Sequence, residues 1–169
     1  MRDASLLIAL ADLVTASLNE AQFGVDGFVA ERNYADWEDT LKDLDQLHID
    51  VVPVGHPASE LATRGSTAYV CRIDIGIRKR FGEADQDTST GRVGMEAVDK
   101  LVLLVERIHE HFAHSDNRRL SDTIDAAWND TTIRSSWDRP HLREHRQFTG
   151  IIRLGYRVHQ ELEVSECSE

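Results

Sequence analysis

Two runs of strict two-residue alternation constrain this chain more than any other feature. In the first, Tyr69, Cys71, Ile73, Ile75 and Ile77 alternate with Val70, Arg72, Asp74, Gly76, Arg78 and Arg80. In the second, Phe148, Gly150, Ile152, Leu154, Tyr156 and Val158 alternate with residues that include Thr149, Arg153, Arg157 and His159. Successive side chains point to opposite faces of a strand, so each run has one apolar face that must cover a core and one charged face left for water or a partner. The pattern predicts a half-covered sheet in an interaction protein rather than the buried parallel sheet of an enzyme.

The remaining elements follow from periodicity. Leu6, Leu7, Leu10, Leu13, Val14, Ala16 and Leu18 keep helical spacing and predict a helix over 4–21, with Asp3 as its cap and Gly24 and Gly27 as breakers. Phe28 to Tyr34 reads as a first strand, and 36–47 as a short helix or an ordered connection. Residues 49–54 read as a strand ended by Pro53 and Gly55, and 59–62 as a turn of helix. The run 82–94 is dominated by Gly, Asp, Ser, Thr and Gln and predicts a flexible polar loop. Met95, Val98, Leu101, Val102, Val105, Ile108 and Phe112 form the stripe of a second main helix over 95–112. A shorter helical or irregular segment around Leu120 to Trp128 and a strand from Thr131 to Trp137 lead to Pro140, which resets the chain before the final strand. Residues 161–169 predict a frayed acidic tail. Strands in consecutive runs with two main helices imply one α+β domain over 1–169, an antiparallel or mixed β-sheet with both helices packed on one face.

Composition narrows the functional classes. Hydrophobic residues make up 41% of the 169 and charged residues 29%, ordinary for a globular fold. No apolar stretch is long enough to span a bilayer, and Arg2, Asp3 and Asp12 break the pattern of a secretory leader, so neither is expected. Cys71 and Cys167 do not make a disulfide framework, and both suit a reducing compartment. The formal charge of −11 argues against wrapping nucleic acid, whose affinity comes largely from phosphate neutralisation. It leaves room for DNA to pass nearby, because exposed charges are screened beyond about 8 Å.

Catalytic patterns are weak. His109, His111 and His114 cluster near a helix end, but His109 and His111 point apart and lack the shared face of a zinc-binding helix. His141 and His145 meet only through folding. No phosphate-binding glycine motif or nucleophile elbow occurs, and Gly91 and Gly94 more simply cap or hinge a helix. Cys71, mid-strand among isoleucines, reads as a core thiol. We therefore expect no enzyme activity, no metal and no cofactor. Arg78, Lys79 and Arg80 stand out as the dense basic cluster, read as a solvated strand end or a surface for an acidic neighbouring subunit. Trp37, Trp128 and Trp137 read as core or interface anchors.

Taken in order, the helix from Ser5 to Ala21, the Phe28 to Tyr34 segment, the spaced leucines leading into Ile49 to Val54, and the strand ending in Ile73 to Ile77 form a recognisable series. With the polar loop, the Val98 to Phe112 helix and the closing Phe148 to Tyr156 strand, the chain resembles the bacteriophage tail terminator and neck proteins, some described as minor tail or tail-completion proteins. The resemblance implies a virion subunit, assembled in the host cytoplasm, that forms a hexameric ring at the tail neck. Such a ring caps the tail tube, meets a head-side connector or stopper, and lets DNA pass through its lumen without sequence-specific contact. Under this reading Arg72, Asp74, Arg78, Arg80, Arg153 and Arg157 are candidate subunit-interface residues. Glu83, Asp85 and Asp87 are candidates for a lumen or tube-docking loop. A connector or stopper of the same neck, a monomeric or dimeric acidic DNA mimic or adaptor, and a metal-dependent enzyme are the alternatives.

Overall fold

The two alternating runs become neighbouring antiparallel strands, paired residue for residue. The structure, a computed structural model, describes residues 5–55, 60–63, 66–122, 124 and 126–161. Its elements in chain order are α1 (Leu6–Ala21), β1 (Ala30–Arg32), β2 (Leu47–Gly55), β3 (Glu60–Thr63), β4 (Ser66–Arg80), α2 (Met95–Ala113), β5 (Ala126–Ser135), α3 (Arg139–His145) and β6 (Gln147–Glu161). They form an α+β fold around one mixed sheet of order β1-β2-β4-β6-β5, with β3 paired to β4 beside that path. β1 runs parallel to β2, and the other pairings are antiparallel. β4 and β6 pair from Ser66 opposite Glu161 to Arg80 opposite Gln147 without a register shift, which sets Ile73 against Leu154 and Ile75 against Ile152.

That register puts the alternating apolar positions of both strands on one face, with Val70 and Ile151 on the other. Cys71, Ile73, Ile75, Ile77, Phe148, Ile152, Leu154 and Tyr156 are fully buried. α1 contributes Leu10, Ala11, Val14 and Leu18 to the same cluster, and α2 contributes Leu101, Leu104, Val105, Ile108 and Phe112. Burying each large aliphatic or aromatic side chain is worth about 1.5–3 kcal/mol, so this cluster dominates the stability of the fold. Gly150 lets α2 approach: a Cβ there would lie 2.7 Å from Val105 Cγ2. The helices touch directly, with Ser17 Oγ 2.9 Å from His111 Nε2 and the His111 ring set edge-on against Phe23 and Phe112. The short β1 is tied to α1 by the Asn19 amide. It accepts from the Ala30 N–H at 2.8 Å and donates to the Ala30 carbonyl at 2.9 Å, covering an otherwise open edge.

Several local expectations give way to tertiary pairing. Glu60–Thr63 is a strand rather than a turn of helix, because the start of β4 offers it a pairing edge. Trp128 lies in β5, opposite Tyr156, and not in a helical or irregular segment, because the long edge of β6 recruits the chain from Ala126 onward. Residues 36–46 form turns, the ordered connection, and no helix. The reset at Pro140 is itself a helix: Asp138 caps α3 by accepting the His141 N–H at 2.9 Å, and proline suits the first helical turn. Ser5 holds the N-cap position of α1. The expected cap Asp3, Ser59, Cys167 and the tail beyond Glu161 lie outside the described residues.

Two measurements follow from the core. The Tyr156 hydroxyl is buried with no hydrogen-bond partner among the described residues, and burial pushes its pKa up. Tyr156→Phe should therefore leave stability unchanged or raise it by about 1 kcal/mol in a denaturant titration, whereas a comparable loss would reveal a partner for the hydroxyl. Burial also holds the His111 pKa below its usual 6.5. The unfolded chain then binds the extra proton, so stability present above pH 6.5 should fall as the pH drops below it. His111→Gln should flatten that dependence between pH 7.5 and 5.

Candidate interaction surfaces

The sheet face opposite the helices carries the charged positions, and much of it is covered by the chain itself. Parallel neighbours such as β1 and β2 need a crossover, and residues 33–46 supply it across this face. Gly76 makes room: a Cβ there would overlap the Trp37 ring. The Arg78 guanidinium sits 5.5 Å from the centre of that ring. Arg78 Nε and Nη2 both donate to Asp50 Oδ2, at 2.9 and 2.7 Å, and Nη1 donates to the Asp36 carbonyl at 3.2 Å. Asn33 Nδ2 donates to the other Asp50 oxygen at 2.5 Å. Asp50 and Arg78 are 5% and 7% exposed, which places this pair inside the protein.

A second arrangement holds the middle of the face. Arg153 forks onto Asp74, Nε to Oδ1 at 2.7 Å and Nη2 to Oδ2 at 2.9 Å, and the Asp74 hydrogen bonds push the Arg153 pKa up. Arg134 Nη1 adds a contact of 3.5 Å from β5. Gln147, fully buried, accepts the Leu41 N–H at 2.7 Å and donates to Thr149 Oγ1 at 3.2 Å, while Thr149 also meets His141 Nδ1 at 3.0 Å.

The predicted interface residues therefore divide. Asp74 and Arg78 are buried in intrachain pairs, and Arg153 is held by Asp74. Arg80 donates to the Leu41 carbonyl at 3.2 Å, and Arg157 is partly buried and engaged. Arg72 is exposed. The face is spent largely on the protein's own crossover, because the β1–β2 topology lays that segment on it.

The polar loop 82–94 is a hydrogen-bonded excursion. A 3-10 turn spans Glu83–Asp85, Gln86 bridges Val93, the Asp87 N–H donates to the Arg92 carbonyl at 2.8 Å, and Gly91 turns the chain at φ 67°. Glu83 and Asp87 are exposed. Hydrogen bonds from Ser89 hold the Asp87 carboxyl below its usual range. Asp85 is half-buried, 4.0 Å from Lys79, and desolvation with the adjacent Asp45 raises its pKa.

The three histidines of the α2 end do not converge, whereas the His141 and His145 rings meet on α3 with centroids 6.0 Å apart. His111 packs between the helices, His109 Nε2 meets the Thr131 carbonyl at 3.1 Å, and His114 is exposed near Asp116. Among the described residues no group of three or more His, Cys, Asp or Glu side chains is placed to hold a metal.

Two surface grooves assembled by the fold escape a reading along the chain. One, of about 1170 Å³, lies between the α1–β1 turn, β2 and the first half of α2. Leu47, Ile49, Leu101 and Leu104 form its floor, and Asp26, Glu31, Asp87 and Glu96 stand among the carboxylates at its rim. The other, of about 610 Å³, lies beside the β5–β6 connection and is lined by Arg92, Arg139, Arg143, Arg146, Trp137 and Leu142 among others. These four arginines are spread over more than fifty positions of sequence, which is why Arg78–Arg80 stood out as the dense cluster instead. The one local signal was the spacing of Arg139, Arg143 and Arg146 behind an exposed tryptophan.

No protein-family model matches the chain, and no curated protein matches it.

The buried pair gives a direct test of the covered face. Asp50→Asn, which leaves Arg78 buried without its counter-charge, should cost about 3–5 kcal/mol in urea unfolding. The double change Asp50→Leu with Arg78→Met should cost distinctly less, and equal losses would show that the pair is solvated.

Proposed function

We propose that this chain is a structural subunit of a bacteriophage tail neck, a tail terminator that assembles into a ring, caps the tail tube and meets the head-side connector. DNA passes through the lumen without sequence-specific contact. In this reading the protein works by assembly, with no catalytic centre, metal or cofactor, and its place is the neck of the virion.

The order of elements that carries the resemblance now belongs to one mixed sheet covered by α1 and α2, with a polar excursion between β4 and α2. The observation that carries the proposal is the separation of surface charge. A groove rimmed by carboxylates and an arginine-lined groove flank the 82–94 loop, the first between the α1–β1 turn, β2 and α2 and the second beside the β5–β6 connection. A ring subunit needs two different surfaces, one for each neighbour. The exposed Glu83 and Asp87 suit the loop to the lumen or the tube, whereas Asp85 is turned toward Lys79. A connector or stopper of the same neck would share these features, and binding to connector rather than tube protein separates the two.

Native mass spectrometry across a concentration series, alone and with tail-tube protein, tests the reading. A closed ring, formed alone or on adding tube protein, is the expected result. A monomer or dimer indifferent to tube protein would overturn it, and capture of a basic protein by that monomer would favour the acidic mimic or adaptor, which the charge of −11 also suits.

A further inference from the structure

We propose that the arginine-lined surface around α3 of one copy docks into the acid-rimmed groove between β1 and α2 of a second copy, so that the subunits associate head to tail. The inference rests on the ring reading and deepens it by naming the contact. It moves the subunit interface away from the charged sheet face, whose Asp74 and Arg78 are already buried in intrachain pairs.

Charge is the first argument. Copies each carrying −11 repel, so self-association needs a local positive surface to offset that field. Arg92, Arg139, Arg143 and Arg146 are exposed, and among the described residues none takes part in an ion pair. Arg32, Arg78, Arg119, Arg134 and Arg153, by contrast, are each matched to an aspartate. Among the described residues no carboxylate lines the arginine groove. The larger groove is lined by seven carboxylates, of which Asp50, Asp85 and Glu96 are paired with Arg78, Lys79 and Lys100, leaving Asp26, Glu31, Asp45 and Asp87 against Arg107.

Apolar surface is the second argument. Trp137 is 43% exposed beside the arginines, and Leu142 lies next to it in the groove. Tryptophan and arginine together are the residues most enriched at the energetic centres of protein interfaces. The acid-rimmed groove offers an apolar floor and the half-exposed Leu103 to receive them. Its volume of about 1170 Å³ is ample for a few protruding side chains.

Position is the third argument. The two surfaces are distinct and flank the 82–94 loop: Ala84 to Asp87 line the acid-rimmed groove, Gly91 to Val93 line the arginine groove, and the Asp87 N–H donates to the Arg92 carbonyl between them. Joining unlike patches is a heterologous contact, which generates a closed ring when the rotation per subunit divides a full turn.

Backbone strain at Arg146 supports the same assignment. This residue ends α3 in the left-handed conformation, φ 51° and ψ 37°, where glycine would be at ease. Its carbonyl accepts the Phe81 N–H at 2.8 Å, which holds the turn in place. A strained arginine kept at a glycine-like position fits a side chain retained for binding.

The experiment is a charge exchange read by native mass spectrometry and analytical ultracentrifugation. One variant carries Arg92→Glu, Arg139→Glu and Arg143→Glu, and the other carries Asp26→Lys, Glu31→Lys and Glu96→Lys. All six positions are exposed, so both variants should fold, with circular dichroism melts as the control. Wild type should associate, more weakly at high salt. Each variant alone should associate at least about tenfold more weakly, and an equimolar mixture should regain the assembly by alternating the two chains. Arg146→Gly should raise the melting temperature while weakening association. A wild-type ring that the arginine changes leave intact would overturn this contact and leave the ring reading standing. Wild type that stays monomeric at high concentration would overturn self-docking, while failure to cap tail-tube protein is what sinks the ring reading. Retention of a short DNA duplex by monomeric wild type, lost in the first variant, would assign the arginines to phosphate and overturn the proposal.

Discussion

The parallel pairing of β1 with β2 determines what the rest of the surface is available to do. Two parallel neighbours cannot be joined by a tight turn, so residues 33–46 must cross a face of the sheet. The helices occupy the apolar face, and the crossover takes the charged one. It is anchored by Trp37 over Gly76, by Arg78 reaching the Asp36 carbonyl, and by Gln147 reaching Leu41. Covering the face strips water from Asp50 and Arg78, and their pairing, with Asn33 as a further donor, offsets that loss. A set of side chains that reads as an outward surface becomes a second, polar core.

The consequences reach the surface chemistry. With Asp74, Arg78 and Arg153 committed within the chain, the charges gathered into grooves lie around the 82–94 loop. α3 and the 91–93 turn bring four arginines and Trp137 together on one flank of the 82–94 loop. The α1–β1 turn, β1, α2 and the 84–87 arm bring carboxylates around an apolar floor on its other flank. An acidic protein thereby acquires two surfaces of opposite character, the minimum that head-to-tail assembly requires.

The apolar pattern was legible where local order and burial agree. The β4 and β6 alternation, the stripes of α1 and α2, and the class of fold follow from residue spacing, since a period of two or 3.6 places each apolar residue on one side regardless of its partners. Segments with weaker patterns were decided by their neighbours. Glu60–Thr63 and the stretch from Ala126 through Trp128 are strands because β4 and β6 present long pairing edges. α3 was hidden behind Pro140, which halts one element and begins another equally well.

By itself the sequence determined which apolar residues of the two long strands form the core face, how the main helices face them, and that the chain carries a strong negative charge. Those properties depend on periodicity and composition, which each segment carries within itself. Only the tertiary structure decided that the charged face is roofed by a crossover, which arginines are matched to aspartates, and that Arg92 meets Arg139, Arg143 and Trp137 in one groove. The reason is physical: ion pairs and grooves are made between segments distant in sequence, and strand order, which no single segment encodes, sets which of them meet.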